Sequence, residues 1–503
     1  MSERAEDRPG RDRLTRRDLL KALPAAGAVA AGAAALTATS VGGTTTRQGT
    51  CRACLARCGV RATLRDDHIE RVEGDPASAT GGFVCLHGMA IREILHSRDR
   101  VRRPLRRAGG SFEEVSWKEA FDGIARRLLE VKQEFGPQAL AVQAGWGLVA
   151  HPMQMFLLRF CQAFGTPNFA TVDSVCQSAL RMGETLTTGS KCKPDANRAR
   201  TLVLWGANPP VTQPLFARVV SAANLPGRNL IVIDPVRTRA AERATLHLQV
   251  RPGTDGALAL GLMHVIVEEG LHDRSYIERA TVGFGALRGL VRQYDPERVS
   301  EITSIAAPII RRAARMIAGQ GPTSIWTGLG IEHHTNGLQT VRAIVSLSAN
   351  CGDIGVPGGS RLLTSPARRS HGRPIPCLDR FSTPRPVPPP VTVPAIGDAR
   401  YPLFGLFNRQ AQANLFARAI LDDEPYPLRA LILVGSNALV TAPGSEQLQR
   451  AADKLSLLVS VDPFLTASGR LADYVLPAAS FAEGARGAGE RGERGTLIEA
   501  RHE

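Results

Sequence analysis

The sequence predicts a multidomain α/β protein, with a small β-rich domain near the N-terminus and two doubly wound α/β domains after it. The chain has 503 residues, enough for about three cores at ~150 residues per domain. Four Cys lie between positions 51 and 85, in a polar segment with short alternating apolar stretches. Beyond that segment, apolar runs that end in Gly, Asn or Asp alternate with helical patterns, which is typical of parallel sheets.

Composition excludes several classes of protein. Hydrophobic residues make up 43% of the chain and charged residues 22%, which excludes a disordered or collagen-like protein. Outside the N-terminal region no apolar stretch reaches ~18 residues, so a polytopic membrane protein is excluded too. The net charge of +15 would favour a nucleic-acid partner, but only six of the 62 basic residues are Lys, and the Arg are scattered. We therefore predict no nucleic-acid partner.

Residues 1–45 are predicted to be an export signal. Arg16 and Arg17 precede an Ala/Gly-rich apolar run at 22–38, and this pattern resembles a twin-arginine signal, with Leu19 where Phe is commoner. The alternative is a disordered basic tail before a surface helix. The twin-arginine route carries folded proteins, so it suits an enzyme that receives a large cofactor in the cytoplasm. We expect the mature protein in the periplasm or on the outer face of the cytoplasmic membrane.

The segment 46–105 carries the strongest chemical signal, four Cys with the spacing Cys51-x2-Cys54-x3-Cys58-x26-Cys85. Four thiolates satisfy either a [4Fe–4S] cluster or a structural zinc ion. Zinc ribbons usually bring together two Cys-x-x-Cys pairs, whereas here three Cys share one loop and the fourth arrives alone. The spacing therefore favours an iron–sulfur domain, with zinc and coincidental thiols as the alternatives.

Secondary structure beyond this segment follows from apolar periodicity. The spacing from Trp117 to Phe135 is helical, and Gly136 and Pro137 follow as a stop signal. Five apolar runs are predicted as buried strands, at 201–205, 230–233, 323–326, 430–434 and 457–461. In such parallel sheets, ligands bind at the C-terminal ends of the strands.

Changes in composition and in apolar periodicity along the chain indicate the domain order. Residues 383–394 form a Pro-rich connector, after which the α/β pattern resumes. We predict a discontinuous α/β domain made of residues 106–170 and 364–503. Residues 171–363 are predicted to form a Rossmann-like domain between those two parts.

Polar and Gly residues at the predicted strand ends are suited to bind a nucleotide. Gly206 allows close backbone approach, and the Asn208 amide offers a donor and an acceptor. Asp234 follows a strand, where a carboxylate can accept hydrogen bonds from a guanine edge or a ribose. Gly253 precedes a helix whose free N–H groups can hold an anion, with Asp255 as its expected cap. Taken singly, each could be only a turn or a cap.

Together with the Cys spacing and the export signal, seven motifs resemble the molybdopterin oxidoreductases of the dimethyl-sulfoxide-reductase superfamily. The motifs occur in the order of that family and cover essentially everything from residue 47 onward. They lie at 205–209, 234–238, 251–258, 332–337, 355–359, 435–437 and 472–477.

The resemblance implies a [4Fe–4S] cluster and a bis-molybdopterin guanine dinucleotide that holds Mo or W, with 171–363 as a pterin-dinucleotide domain. It assigns cofactor binding to His87, Trp205, Gly206, Asn208, Asp234, Thr238, Gly253, Thr254, Asp255, Gly328, Ser436, Asn437 and Asp462.

Cys176 is the predicted catalytic residue and the protein ligand of the molybdenum. Members of the family place their metal ligand at this position, and a thiolate is a suitable soft ligand. The alternative is a small buried hydrophobic residue. Cys192 is a weaker candidate, and its Lys neighbours suggest a low thiol pKa. Formate dehydrogenases typically have His after the ligand, so Gln177 argues against formate.

Three His and one Glu are further candidates near the predicted site. His334 matches a His of the family near the substrate funnel and is predicted to be catalytic, with a structural role as the alternative. His333 and Glu332 are weaker candidates. His87 stands where relatives often carry Lys or Arg between cluster and pterin, and a protonated imidazole could serve in its place.

The end of the chain differs from the family pattern. Residues 493–501 resemble the segment that precedes a C-terminal barrel domain, and this domain is expected to be absent from the fold. Where the family has Asn, this stretch offers Ile498 or Glu499. We expect either a truncated copy or a separate polypeptide that supplies the missing domain.

These interpretations together predict an exported molybdenum oxidoreductase that transfers oxygen or sulfur atoms, most similar to thiosulfate or polysulfide reductases. Its substrate would be a small inorganic or other small molecule, and its partners an iron–sulfur electron-transfer subunit and a membrane anchor. The alternatives are a nitrate or arsenic-oxyanion enzyme and a non-catalytic iron–sulfur electron-transfer subunit.

Overall fold

The computed structural model describes residues 44–483 except for 55, 67, 149–151, 224–225 and 364–392. The predicted export signal, apart from its last two residues, lies outside this described part, as does most of the Pro-rich connector. Within the described part, no helix combines the length and apolar character needed to cross a membrane.

Sixteen strands occur in the described part, and all five predicted strands are among them. In chain order they are β1 Thr44–Thr50, β2 Gly59–Arg65, β3 His68–Gly74, β4 Leu105–Ala108, β5 Ser111–Glu114, β6 Leu140–Ala144, β7 Asn168–Thr171, β8 Cys192–Pro194, β9 Thr201–Trp205, β10 Asn229–Ile233, β11 Leu246–Leu248, β12 Thr323–Thr327, β13 Ser360–Leu362, β14 Ala430–Val434, β15 Leu457–Asp462 and β16 Tyr474–Pro477.

Helices connect most of these strands. In chain order those described are α1 Leu86–Met89, α2 Ile91–His96, α3 Trp117–Phe135, α4 Pro152–Phe164, α5 Ser178–Thr188, α6 Pro209–Thr212, α7 Ala217–Ala222, α8 Arg239–Glu242, α9 Asp255–Glu268, α10 Arg274–Ala280, α11 Phe284–Val291, α12 Pro296–Thr303, α13 Ala307–Gly319, α14 Gly337–Asn350, α15 Pro402–Asn408, α16 Phe416–Leu421, α17 Ala438–Thr441, α18 Ser445–Ala452 and α19 Ala467–Leu471.

The N-terminal unit is β-rich, as predicted. Strands β1, β2 and β3 form an antiparallel sheet. Alternate residues of β2 point into a small core, with Val60, Ala62 and Leu64 almost fully buried. Cys51 and Cys58 belong to the same buried cluster, so the sheet holds two of the four predicted ligands in its core.

A salt bridge joins the N-terminal unit to the segment after β16. Both Nη atoms of Arg100 donate to the carboxylate of Glu483, at 2.9 and 2.8 Å, and the two side chains are only 12% and 16% exposed. Burial acts to raise the pKa of Glu483, but hydrogen bonds from Arg100 and Ser480 outweigh burial and leave it below its usual value. Such a bidentate, partly buried pair fixes geometry as well as charge.

The smaller parallel sheet has the strand order β11-β10-β9-β12. Every residue of β9 is buried, which explains its continuous apolar run, because helices cover both faces of a parallel sheet. Helix α9 packs into the same core with Leu258 and Leu262 fully buried. The α/β prediction is confirmed for this part of the chain.

The larger sheet has the order β5-β4-β16-β15-β14-β6-β7, and its five strands from β16 to β7 are parallel. The hairpin of β4 and β5 adds antiparallel strands at one edge. Leu140 of β6 pairs with Ala430 of β14. The larger sheet therefore combines strands that come before the smaller sheet in the chain with strands that come after it.

Helix α3 covers one face of the larger sheet and begins and ends as the sequence predicts. Ser116 and Glu119 form a capping box at its start, and the N–H of Gly136 donates to Lys132 at its end. Its buried positions share one face, which packs against the larger sheet, and they include Ala120, Ile124, Leu128 and Val131.

Candidate functional site

The four predicted cluster ligands lie on one hairpin and on the residue before α1. The N–H of Cys51 donates to the carbonyl of Cys58 at 2.8 Å, which closes the loop that carries three Cys. Cys85 immediately precedes α1, and its carbonyl accepts hydrogen bonds from Gly88 and Met89 at 3.0 Å. None of the four Cys forms a disulfide.

The four thiols are near enough for their charges to act on one another. Burial, and to a lesser extent the charges of Cys51, Cys54 and Cys85, raise the pKa of Cys58 to about 11. A Cβ on Gly88 would lie 2.6 Å from the Val84 side chain and 3.4 Å from the Cys51 sulfur, so Val84 would have to move to admit a side chain beside this thiol. In the described part of the chain, no three His, Cys, Asp or Glu side chains surround a position suited to a single ion.

His87 lies in α1, two residues after Cys85, and is exposed. Leu86 and Met89 in the same short helix are 80% and 48% exposed. His87, the residue predicted to carry a positive charge between cluster and pterin, is therefore close in the chain to the cluster ligand Cys85.

Gly206 and Gly328 meet at the C-terminal edge of the smaller sheet. Gly206 has a φ of +57°, which favours glycine, and the N–H of Gly328 donates to the Trp205 carbonyl at 2.9 Å. A Cβ on Gly328 would collide with the Gly206 carbonyl oxygen. The two backbones therefore pass each other too closely for a side chain at position 328.

Replacing Gly328 by Ala is expected to lower the free energy of unfolding by about 1–3 kcal/mol, because overpacking forces the backbone at position 206 to move. Gly330→Ala is the matched control, since the nearest atom to its new Cβ is 3.5 Å away. Denaturant unfolding of both variants measures the difference. Equal stability of the two variants would contradict this account of the edge.

Asn208 and Asp234 are both half-buried at this edge. Asn208 occupies the N-cap position of α6, and its carbonyl accepts hydrogen bonds from Val211 and Thr212 at 3.0 Å. Asp234 follows β10 and accepts a 2.8 Å hydrogen bond from the N–H two residues on, which fixes a tight turn. Thr238 caps helix α8 through its hydroxyl oxygen.

Asp255 does not cap α9, contrary to the prediction. It is the first residue of the helix, while Thr254 takes the N-cap position and its hydroxyl donates to the carbonyl of Arg251. Asp255 is buried and accepts a 2.8 Å hydrogen bond from the indole N–H of Trp205. Burial raises the pKa of Asp255, and this hydrogen bond offsets part of the rise. Trp205 is fully buried and supports Asp255 from the core rather than lining the edge.

His334 is exposed and lies beside Gly253 at the same edge. Its Nδ1 is 3.1 Å from the position of a Cβ on Gly253, where φ is +82°, and its charge acts on Asp255. The structure therefore places His334 near the predicted dinucleotide edge. His333 is also exposed, whereas Glu332 is buried.

The edge of the larger sheet repeats that of the smaller one. Thr-Leu-Val-Leu-Trp-Gly-Ala-Asn at 201–208 matches Ala-Leu-Ile-Leu-Val-Gly-Ser-Asn at 430–437. Gly435 has the same φ of +57° as its counterpart, and Asn437 takes the N-cap position of α17. Ser436 and Asn437 are half-buried, and the amide oxygen of Asn437 accepts two hydrogen bonds from Ser468.

The similarity continues into the next strand of each sheet. Asp462 ends β15 as Asp234 follows β10, and each carboxylate accepts a hydrogen bond from the amide two residues on, at 3.0 and 2.8 Å. Burial raises the pKa of Asp462. Thr466 caps α19 as Thr238 caps α8. The chain thus presents two edges of similar construction.

Sequence reasoning missed two members of this repeat, Gly145 and Thr466. A Cβ on Gly145 would collide with the Gly435 carbonyl oxygen, as one on Gly328 would with that of Gly206. The signal that could have found them is the internal repeat. It is obscured because β6, the counterpart of β12, precedes the other strands of its sheet in the chain.

Cys176 lies on the connection between the two sheets. A 3-10 turn at Val172–Val175 leads to it from the edge strand β7, and α5 begins two residues later and packs against α14. Cys176 is half-buried. Burial raises its pKa, the charges of Asp173 and Glu332 raise it further, and that of Lys191 lowers it.

Glu332 lies near enough to Cys176 for its charge to act on it, and Cys192 is a further predicted candidate. Glu332 accepts a 2.8 Å hydrogen bond from the N–H of Leu180, and its second carboxylate oxygen has no partner among the described residues. Burial raises the pKa of Glu332 to about 7. Cys192 does not have a low thiol pKa, contrary to the prediction, because burial and the charge of Glu184 raise it to about 11.

Two family models match the chain. Residues 100–495 match the molybdopterin oxidoreductase model, and residues 44–97 match the molybdopterin oxidoreductase Fe4S4 domain. The second match decides the interpretation of the four Cys in favour of an iron–sulfur cluster over zinc. The two models together imply a [4Fe–4S] cluster and a molybdopterin cofactor with Mo or W.

Individual relatives agree with these models. The chain is 31% identical over 443 residues to the probable oxidoreductase YoaE of Bacillus subtilis, covering 86% of this chain and 61% of that protein. It is 28% identical to the F420-dependent formate dehydrogenase 2 subunit alpha of Methanococcus maripaludis, covering 86% and 64%. The solved structure of acetylene hydratase from Pelobacter acetylenicus is similar with a TM-score of 0.76 and 26% identity, covering 90% of this chain and 66% of that one.

The chain thus spans less than two thirds of the length of each of these relatives. The molybdopterin oxidoreductase model nevertheless covers most of its residues, and the Fe4S4 model covers the unit that carries the four Cys. The chain belongs to the molybdopterin oxidoreductase family, within the dimethyl-sulfoxide-reductase superfamily.

Proposed function

We propose that this chain is an exported molybdenum or tungsten oxidoreductase that transfers oxygen or sulfur atoms. Its strongest support is the position of Cys176, on the connection between two sheets whose edges are built alike. Each edge would hold one pterin dinucleotide, and the Cys176 thiolate would bind the metal between them. When bound, the metal supplies a site for atom transfer and the cluster a relay for single electrons.

The residues of each edge would bind and orient the dinucleotides. The turns after β9 and β14 bring backbone close to the ligand, since Gly206 and Gly435 have no side chain. The carboxylates of Asp234 and Asp462 would accept hydrogen bonds from a guanine edge or a ribose. Asn208 and Asn437 would supply amide donors.

The substrate class is proposed from the residue after the ligand. Gln177 takes the place where formate dehydrogenases typically carry His, so a thiosulfate- or polysulfide-reductase-like activity is favoured over formate oxidation. A nitrate or arsenic-oxyanion activity is the alternative within the superfamily. A non-catalytic electron-transfer role requires no metal at Cys176, so metal analysis tests it directly.

Export and partners also belong to the proposal. The twin-arginine pattern around Arg16 and Arg17 supports a location in the periplasm or on the outer face of the cytoplasmic membrane. A formate dehydrogenase relative is named as an alpha subunit, which supports a multisubunit assembly. We propose an iron–sulfur electron-transfer subunit and a membrane anchor as partners.

Metal analysis and a substrate screen of the protein isolated from its native host test this proposal. We expect about four irons and one Mo or W per chain. The screen offers thiosulfate, polysulfide, nitrate and arsenate to the protein in the presence of a reduced viologen dye, and we expect turnover of a sulfur compound. Iron without Mo or W would instead favour the electron-transfer role, and stoichiometric zinc would contradict the proposal.

A further inference from the structure

Helix α3 carries a row of apolar side chains that are open to solvent. Trp117, Phe121 and Leu129 are 40%, 54% and 63% exposed, and the exposed Ala125 lies between the last two. These four residues, the apolar row of α3, are spaced four positions apart, so they share one side of the helix and extend over about 18 Å. The rings of Trp117 and Phe121 stack with their centres 5.4 Å apart.

Helix α4 extends this apolar surface. Lys132, which lies one turn beyond Leu129 on the same side of α3, donates to the carbonyl of Phe164 at 2.7 Å and lies 4.9 Å from the centre of its ring. Phe156 and Phe160 are spaced four residues apart before Phe164, on one side of α4, and are 51% and 37% exposed. Exposed aromatic side chains in neighbouring positions are typical of protein–protein interfaces.

A row of alternating charges runs beside the apolar row. Lys118, Asp122, Arg126 and Glu130, the charged row of α3, are also spaced four residues apart and are all exposed. Lys118 and Asp122 form an ion pair at 2.6 Å. Arg126 and Glu130 form no ion pair with any residue that the structure describes. Half of the charged row is therefore free to pair with another molecule.

The charged row complements itself when two copies of α3 lie antiparallel. A two-fold axis through the middle of the helix places Lys118 opposite Glu130 of the second copy, and Asp122 opposite Arg126 of the second copy. The symmetry repeats each pair, so every charge in the row faces an opposite charge. In a parallel arrangement each residue would face its own copy, and like charges would repel each other.

The apolar row follows the same symmetry. An axis through the middle of the row places Trp117 opposite Leu129 of the second copy, and Phe121 opposite Ala125 of the second copy. Each pair joins a large side chain to a smaller one, which suits close packing. A partner of another kind would not require both rows to match their own reversed order, so this double match favours a second copy of the chain.

We propose that α3 forms the centre of an interface between two copies of this chain, with the two helices antiparallel about a two-fold axis. The apolar rows pack against each other, the charged rows form intermolecular ion pairs, and Phe156 and Phe160 of α4 add contact area. Interfaces of standard size bury about 1,200–2,000 Å² in total, so the area from α4 adds to what a single pair of helices supplies. The interface is independent of the proposed function, because α3 and α4 pack on a face of the larger sheet rather than at its strand ends.

Sedimentation velocity of the full chain, isolated from its native host with its cofactors, tests the proposal. At micromolar concentration we expect a species with the mass of two chains. Asp122→Arg and Arg126→Asp, made singly, each place like charges opposite each other on both sides of the axis. Each variant should therefore weaken self-association about tenfold or more.

Mixing the two variants separates an antiparallel interface from a general effect of charge. When Asp122→Arg meets Arg126→Asp, every opposing pair again joins a positive and a negative side chain. The mixture should therefore form a dimer that contains one chain of each variant, which affinity tags on the two chains detect. Thermal unfolding of each variant alone should match that of the wild type, because both positions are exposed.

Two further variants complete the test. Phe121→Ala should weaken self-association about tenfold or more, because it removes the largest contact of the apolar row near the axis. Arg288→Asp is the matched control, since Arg288 is exposed on α11 and outside the proposed interface, and it should leave self-association unchanged. A monomer at micromolar concentration, a dimer that the α3 variants do not weaken, or variants that do not recombine on mixing would overturn the proposal. A single chain bound through α3 to a different protein would overturn it as well.

Discussion

Turnover is expected to disappear when Cys176 is replaced by Ala, while the iron–sulfur cluster remains. Loss of groups that only orient a metal ligand typically costs 10–100-fold, so loss of the ligand itself should cost more than about 100-fold. The cluster should survive because its four Cys lie on the β1–β2 loop and before α1, away from the β7–α5 connection that carries Cys176. An activity assay measures the loss of turnover. Metal content per chain and the spectrum of the reduced cluster show whether the cluster remains.

Cys161→Ala is the matched control for this substitution. Cys161 is also a free thiol, but it is 3% exposed within the core beneath the larger sheet, and burial raises its pKa to about 12. Such a thiol is inert, so we expect full turnover with a small loss of stability. Wild-type turnover by Cys176→Ala would remove Cys176 from the proposed site.

Replacing Cys58 by Ala is expected to abolish the cluster. Iron should fall from about four per chain to less than about one, because three remaining thiolates hold a four-iron cluster poorly. The melting temperature should fall as well, since a bound metal centre stabilises the fold that presents its ligands. Iron content, visible absorbance and thermal unfolding measure this prediction.

Cys161→Ala again serves as the control, and it should keep its full iron content. The Cys58 variant should also lose electron transfer from a donor dye to substrate, even where Mo or W is retained. A Cys58 variant with about four irons and unchanged thermal unfolding would show that this thiol is not a cluster ligand.

Local patterns in the sequence predicted most of the fold. The strands at 201–205 and 430–434 were predictable because each is a short apolar run that ends in Gly, and burial on both faces of a parallel sheet requires such a run. The helix Trp117–Phe135 was predictable because its apolar positions share one face and Gly136 ends it. These signals depend only on neighbours in the chain.

The two wrong predictions depend on contacts that the local sequence pattern does not show. Asp255 looked like a helix cap, but the indole of Trp205 reaches its carboxylate from another strand. Cys192 looked reactive because two Lys flank it, yet burial beside Glu184 has the larger effect on its pKa. Such contacts follow from the packing of whole elements and have no local signature.

The placement of β6 and β7 has a consequence for how the molecule is made. β14, which pairs with β6, is translated much later, so these early strands emerge from the ribosome long before the larger sheet can close. The smaller sheet uses only strands between Thr201 and Thr327 and can assemble first. Pairing over such distances is slow and leaves strand edges open to misassembly. Synthesis of this protein is therefore expected to depend on chaperones that shield β6 and β7 until β14 arrives.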